Sequence, residues 1–303
     1  MSNDWPSGYT PDVTGKVVLV TGANSGLGLE VTRVLATNGA RVLMACRNQE
    51  KAERAAESVR ASDPKGEVAV RSLDLASLES VRDFAADTRD TEDHIDLLVN
   101  NAGLMATDEL RTADGFEMQI GVNHFGHFAL TAQLLPLLLA SPTSRVVTVS
   151  SFGHRMGRMH FDDLMFERHR YSRWPAYFQS KLANLLFSAE LQRRLERSGA
   201  TTVALAAHPG STSTDLGTEG TGFTNRLIEP LFPLAGQAVE GGALPILRAA
   251  TDPAARGGEY YGPRWLMSGR PVRETPSRRA RSTADAARLW TISEALTHTT
   301  VDL

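Results

Sequence analysis

The chain has 303 residues, 42% hydrophobic and 22% charged, with 32 Lys and Arg against 35 Asp and Glu and a formal net charge of −3. That is the composition of an ordinary globular protein, and the near-neutral balance leaves no basic face of the kind DNA or RNA recognition requires, so no nucleic-acid partner is expected. One cysteine, Cys46, excludes an internal disulfide and suits a reducing compartment.

The opening MSNDWPSGYT has no apolar run that could serve as a signal-peptide core. The most apolar stretch, 129–140, contains Pro136 and falls short of the roughly 20 residues a membrane span needs. A cytoplasmic protein without a membrane anchor is expected.

In chain order, residues 1–14 read as an irregular arm rich in Pro, Gly, Ser and Asp, and 15–303 as a single domain. KVVLVTG (16–22) is a short apolar strand, followed by a helix over 27–38, a strand ARVLMAC (40–46) and a charged helix over 49–62. VAVRSLDL (68–75) is the third strand, with a helix over 77–89 behind it, and IDLLVNNAG (95–103) the fourth. A long helix over 113–139 leads to RVVTVSS (145–151), a helix over 177–197 to TTVALAAHPG (201–210), and a last helix covers 283–297. The strands are near-continuous Val/Leu/Ala runs, as in strands buried on both faces, which predicts a doubly wound parallel α/β sheet with helices on each side. Residues 215–275, rich in Gly and Pro without clear periodicity, read as a lid of loop and short helix, and SRRAR (277–281) as the solvated start of the last helix.

VTGANSGLG (20–28) sits where the first strand must turn into the first helix. Gly22, Gly26 and Gly28 remove side chains where a phosphate would approach the helix N-terminus, whose free N–H groups and dipole favour an anion. The second strand ends Ala45-Cys46-Arg47-Asn48 without the carboxylate that would bond a ribose 2′-hydroxyl. A carboxylate would repel a 2′-phosphate, whereas the Arg47 guanidinium offers it a charge-assisted fork, so NADP(H) is expected over NAD(H). Asp74-Leu75 and Asn100-Asn101-Ala102-Gly103 close the third and fourth strands, at the sheet edge where such folds bind ligands. Asp74 could equally cap the helix near Ser77, and the Asn pair could be turn chemistry alone.

Tyr177 and Lys181 are four apart, on one face of a helix. A free phenol, with a pKa near 10, is a poor acid–base group at neutral pH; a nearby cation favours the phenolate and brings it toward the working range. By itself this spacing arises often by chance. Its partner is the pair Ser150-Ser151 at the end of the fifth strand, where a hydroxyl could hold a substrate oxygen while Tyr177 passes it a proton. The glycine turn, strand-end Asn pair, strand-end Ser pair and helical Tyr/Lys lie in order on one sheet edge, which makes chance a poor explanation.

Over 14–215 the sequence resembles the short-chain dehydrogenase/reductase superfamily, whose fold is a Rossmann-like sheet of about seven strands, with the seventh expected near 259–261. The family's T-G-x-x-x-G-x-G motif is matched by Thr21, Gly22, Ala23, Asn24, Ser25, Gly26, Leu27 and Gly28, and its N-A-G motif by Asn101, Ala102 and Gly103. Its catalytic Asn, Ser, Tyr and Lys correspond to Asn123 in GVNHFGHF, Ser151, Tyr177 and Lys181. The loop that covers the nicotinamide in the family, P-G-x-x-x-T, corresponds to Pro209-Gly210-Ser211-Thr212-Ser213-Thr214. TGANSGLG, ACRN, GVNHFGHF, YFQSKLANLLF and HPG resemble the retinol-dehydrogenase-like and protochlorophyllide-reductase-like branch, which is mostly NADP-linked.

The resemblance implies reversible hydride transfer between NADP(H) and an alcohol/carbonyl pair on a small molecule. Ser151 would polarise the oxygen and Tyr177 donate the proton. Lys181 would hold the nicotinamide ribose and tune Tyr177, and Asn123 would distort its helix and hold a water in a proton relay. Reduction of an activated C=C bond and a non-catalytic nucleotide sensor are the alternatives. Family members often pair through the helices bearing Asn123 and Tyr177, which implies a homodimer or homotetramer. Ser151 and Tyr177 are farther apart than is common in the wider family, and the intervening 154–174 is expected to fold over the site, with Phe161, Phe166, Tyr171 and Trp174 either lining an apolar pocket or packing. His124 and His127 have helical spacing but no third ligand, so no metal is expected. His208 reads as a strand-end packing or hydrogen-bonding residue, and Cys46 as a small apolar one.

Overall fold

A computed structural model describes residues 11–211, 238–301 and 303. The strands β1 (Val17–Thr21), β2 (Arg41–Cys46), β3 (Glu67–Ser72), β4 (Leu97–Asn100), β5 (Arg145–Val149), β6 (Val203–Ala207), β7 (Tyr260–Pro263) and β8 (Pro271–Glu274) form one sheet in the order β3-β2-β1-β4-β5-β6-β7-β8. Every pairing is parallel except β7 with β8. The strand order reverses between β1 and β4, so their carboxyl ends open the crevice where doubly wound sheets take ligands. The register brings the crevice residues level, with Val20 opposite Val99, Asn100 opposite Thr148, and Val149 opposite Ala207.

Alternation along each strand feeds two cores. Val18, Val20, Val42, Met44, Val99 and Val147 pack with α1 (Gly26–Thr37), α2 (Gln49–Arg60) and α7 (Val239–Thr251). Leu19, Leu43, Leu98 and Val146 pack on the other face with α3 (Leu78–Thr91), α5 (Gly126–Ala140), α6 (Arg173–Ser198) and α8 (Thr283–Thr297), the last through Trp290. Each fully buried aliphatic side chain contributes about 1.5–3 kcal/mol, so both layers are strongly specified.

Several boundaries differ from the sequence reading. The helix expected over 113–139 begins at Met118, as a single turn α4 (Met118–Ile120) running into a π turn (Gly121–Phe125) before α5. The buried Glu117 carboxylate caps it by accepting from Gln119 and Ile120 N–H, which ends the loop there. α6 starts at Arg173, so Tyr177 lies in its second turn; Pro175 is tolerated in the first turn, where N–H groups have no helical partner. Within 215–275 β7 falls where the seventh strand is expected, and the described residues hold more order than a lid of loop and short helix: α7 and the antiparallel β8, which makes eight strands rather than about seven. At the other end Val13 joins the α1–α2–α7 core and its N–H reaches the carbonyl of Asn38.

Candidate active site

The β1–α1 turn is built by what its glycines permit. Gly22 has φ +63°, and a Cβ at Gly28 would stand 2.3 Å from the Gly22 carbonyl oxygen and 2.6 Å from Asn101 Nδ2, so only hydrogen fits there. Ser25 precedes α1 without a side-chain cap, and the first turn carries no acidic residue, which leaves its N–H groups to an outside acceptor. This narrow, uncapped turn fits a dinucleotide pyrophosphate. The turn is wired to the end of β4: Thr21 Oγ1 accepts from the N–H of Asn101 and of Ala102, both at 2.9 Å, and Asn101 Nδ2 donates to the Thr21 carbonyl at 2.8 Å. The Asn101 side chain therefore braces the crevice, and Asn100 is buried and bonded to Thr131. Arg47 is exposed just past β2, beside Asn48, which caps α2. Asp74 Oδ1 accepts from Ala76 N–H at 2.9 Å, while Ser77 is the cap of α3, and Leu75 is buried with its carbonyl against Gly126.

At the ends of β5 and α6 the two adjacent serines separate. Ser150 is buried and donates to the Lys181 carbonyl at 2.7 Å, a packing contact. Ser151 Oγ accepts from Gly153 N–H at 3.1 Å, and its hydroxyl lies near enough to the Tyr177 phenol to favour the phenolate. Lys181 Nζ lies 5.9 Å from the Tyr177 ring centroid and donates to the Val149 carbonyl at 3.3 Å. A Cβ at Gly103 would stand 3.1 Å from that Nζ and 3.2 Å from Asn123 Oδ1, so all four candidate catalytic residues and the N-A-G turn meet in one place. Burial pushes the Tyr177 phenol up, opposed by the nearby Ser151 hydroxyl, and pushes Lys181 down to about 8.

Asn123 sits in the π turn and is fully buried. Its side chain is tied to the strand-end loop, accepting from Leu104 N–H at 2.7 Å and donating to the Leu104 carbonyl at 3.0 Å and to Ser180 Oγ at 2.8 Å. Its main-chain carbonyl lies 3.1 Å from His127 Nδ1, and His127 Nε2 lies 2.8 Å from Thr21 Oγ1. Sequence reading missed this role for His127, because i, i+4 spacing to Asn123 carries no mark of which ring nitrogen is engaged. His124 bonds Ser293 on α8 instead, and among the described residues no group of His, Cys, Asp and Glu is placed to hold a metal.

The 154–174 segment is pinned from beneath by Gln179, which donates to the Leu164 carbonyl at 3.0 Å and accepts from His160 N–H at 2.9 Å. Asp163 gathers the N–H groups of Glu167, Arg168 and His169. Of its aromatics, Phe161 and Phe166 pack and Tyr171 bonds Gln119 and Glu117, whereas Trp174 stands 6.2 Å edge-on from the Tyr177 ring. Cys46 is buried with its thiol pushed up to about 11, an inert apolar position. Gly210 has φ +75° and Ser211 N–H bonds the Met267 carbonyl at 3.0 Å; Thr212 and Thr214 lie outside the described residues.

Comparison with known proteins identifies the family. A profile of the short chain dehydrogenase family matches residues 16–221. Human retinol dehydrogenase 13 is 42% identical over 283 residues, 91% of this chain and 85% of that protein. Human retinol dehydrogenase 12 is 42% identical over 284 residues, covering 92% and 85%. A crystal structure of an uncharacterized protein from Mycobacterium Paratuberculosis superposes with a TM-score of 0.83 at 45% identity, over 99% of both chains. The chain belongs to the short-chain dehydrogenase/reductase superfamily of oxidoreductases, in its retinol-dehydrogenase-like branch.

Proposed function

We propose that the protein is an NADP(H)-dependent oxidoreductase that interconverts an alcohol and a carbonyl on a bulky apolar small molecule. The observation that carries this reading is the meeting of Tyr177, Lys181 and Asn123 at the sheet edge beside the N-A-G turn, with the ammonium 5.9 Å from the phenol ring and Ser151 opening the turn after β5. A bound nicotinamide dinucleotide supplies or takes up the hydride. In the reducing direction the Ser151 hydroxyl holds the carbonyl oxygen, and Tyr177 gives that oxygen the proton that completes the alcohol. Lys181 holds the nicotinamide ribose and, as an ammonium, favours the phenolate that Tyr177 becomes. Asn123, held by Leu104 and Ser180, fixes the π turn against Gly103. Gly22, Asn24, Ser25, Gly26, Leu27 and Gly28 receive the pyrophosphate, Asp74, Leu75, Asn101, Ala102 and Gly103 line the nucleoside crevice, and Pro209 and Gly210 open the loop over the nicotinamide.

The exposed Arg47 and the lack of a carboxylate at the end of β2 support NADP(H) over NAD(H). Trp174 beside Tyr177 supports an apolar substrate, as do relatives named for retinol. The test is consumption of NADPH and NADH with a panel of aldehydes and ketones. NADPH oxidation that depends on an apolar carbonyl compound is expected, with the alcohol as product. Equal use of NADH would remove the cofactor assignment. Saturation of the C=C bond of an α,β-unsaturated ketone, with its carbonyl intact, would replace the reaction assigned.

A further inference from the structure

Two buried histidines flank the ring of Tyr260, His154 edge-on at 5.6 Å and His208 stacked at 5.3 Å. Their hydrogen bonds settle which nitrogen carries the proton. Ser277 N–H donates to His154 Nε2 at 3.2 Å, so Nδ1–H donates to the Ser151 carbonyl at 2.7 Å. Gly210 N–H donates to His208 Nδ1 at 3.2 Å, so Nε2–H donates to Glu274 Oε1 at 3.0 Å. The second Glu274 oxygen accepts from Arg155 Nη2 at 3.3 Å, and Arg155 closes the short 3-10 turn that Ser151 opens.

One carboxylate on β8 thus joins the turn after Ser151 to the turn at Gly210. The Glu274 side chain is only 10% exposed and His208 1%, and an interior carboxylate is costly unless its oxygens are bound. The space for this contact is left by Gly262 on β7, where a Cβ would lie 2.1 Å from His208 Nε2 and 2.2 Å from Glu274 Oε1.

The geometry points to Glu274 as a positioning residue. Through Arg155 and His208 it holds the serine that receives the substrate oxygen at a constant spacing from the backbone that opens the nicotinamide-covering loop. This inference rests on the function proposed above. It makes β8 part of the working machinery.

The experiment compares wild type, Glu274→Ala, Glu274→Gln and Arg155→Met for NADPH affinity by fluorescence titration, for kcat and KM with a carbonyl substrate, and for melting temperature. Glu274→Ala leaves the His208 N–H unpaired and is expected to weaken NADPH binding and lower kcat about tenfold each, with substrate KM within about twofold. Glu274→Gln keeps an acceptor for His208 and is expected to recover NADPH affinity to within about threefold. Arg155→Met, on a side chain 34% exposed, keeps NADPH affinity and lowers kcat, and reports on the other arm should Glu274→Ala not fold. The inference is overturned if Glu274→Ala matches wild type in kcat and affinity, if Glu274→Gln is no better than Glu274→Ala, or if Arg155→Met leaves kcat unchanged. A wild-type protein that binds neither NADPH nor NADH overturns the proposed function itself, whereas binding by wild type with unchanged variants overturns only the role of Glu274.

Discussion

Thr21 Oγ1 lies 2.8 Å from His127 Nε2, and the direction of that hydrogen bond is determined. The hydroxyl already accepts from the N–H of Asn101 and Ala102, so its proton goes to Nε2, and His127 Nδ1–H goes to the Asn123 carbonyl. A neutral imidazole therefore connects the β1 glycine turn to the π turn. Replacing His127 by Phe keeps a ring of similar size but breaks both contacts and leaves the Thr21 hydroxyl only the longer, 3.4 Å approach to the Val99 carbonyl. A loss of about 1–3 kcal/mol is expected, read by urea unfolding, together with reduced turnover. Unchanged stability would show that both groups find other partners.

Acid should destabilise the fold well before its carboxylates titrate. Burial pushes His124 down to about 3 and His127 and His154 to about 4, each from 6.5, with the nearby Lys181 adding to the effect at His127. Because the folded values are lowered, the unfolded chain binds these protons first. The stabilising contribution is complete above about 6.5 and is lost as the pH falls toward 4, at about 1.4 kcal/mol per unit for each histidine in that window. Glu117, pushed up by burial, opposes this nearer its own range. Unfolding free energies measured from pH 7 to pH 5 should fall with a slope approaching three protons; a flat profile would contradict neutral, buried imidazoles.

Much of the sheet was legible because strands buried on both faces must be written as apolar runs, as VVLVT and RVLMAC are. The Tyr177–Lys181 spacing was legible because four residues return to one helix face. α7 was not, since VEGGALPILRAAT carries two glycines and Pro245 and its helicity is supplied by packing against α1 and the sheet. Nor was β8, whose four residues, PVRE, form an edge strand with no buried run to read. Periodicity alone leaves Ser150 and Ser151 equivalent, and only the family resemblance picks Ser151; the bracing role of Asn101 depends on which way its side chain turns at a strand end, which no periodicity shows.

Tyr177→Phe should abolish proton transfer while leaving the cofactor cradle intact. Turnover is expected to fall about 10²- to 10⁴-fold, with NADPH affinity nearly unchanged. The pH profile isolates its partner. With Lys181 near 8, kcat/KM should decline above that pH as the ammonium is lost, and Lys181→Arg should remove the alkaline limb, since a guanidinium stays charged. Retained turnover in Tyr177→Phe would take the phenol out of the mechanism.

Cofactor choice should turn on Arg47. A charge-assisted fork to a 2′-phosphate contributes about 1.5–3 kcal/mol, the upper part of which a surface site loses to solvent, so Arg47→Ala should raise the KM for NADPH by about tenfold. NADH has no 2′-phosphate, and its KM should stay the same. Initial rates with each cofactor decide the matter: equal effects on both would place Arg47 outside the nucleotide site.

The narrowest tolerance lies at Gly28. A methyl group there would meet the Gly22 carbonyl at 2.3 Å and Asn101 Nδ2 at 2.6 Å, and neither can retreat freely: Gly22 is held at φ +63°, and Asn101 is bonded to the Thr21 carbonyl. Gly28→Ala must therefore open the β1–α1 turn, the same backbone that leaves N–H groups for a pyrophosphate. A combined loss of stability, about 1–3 kcal/mol for an overpacked site, and of dinucleotide binding is expected. At Gly15, where φ is +74° but nothing lies within 4 Å of an added Cβ, alanine should cost only backbone strain and leave binding intact. Measuring both variants by thermal melting and NADPH titration separates crowding at the cradle from the general intolerance of left-handed backbone for a side chain.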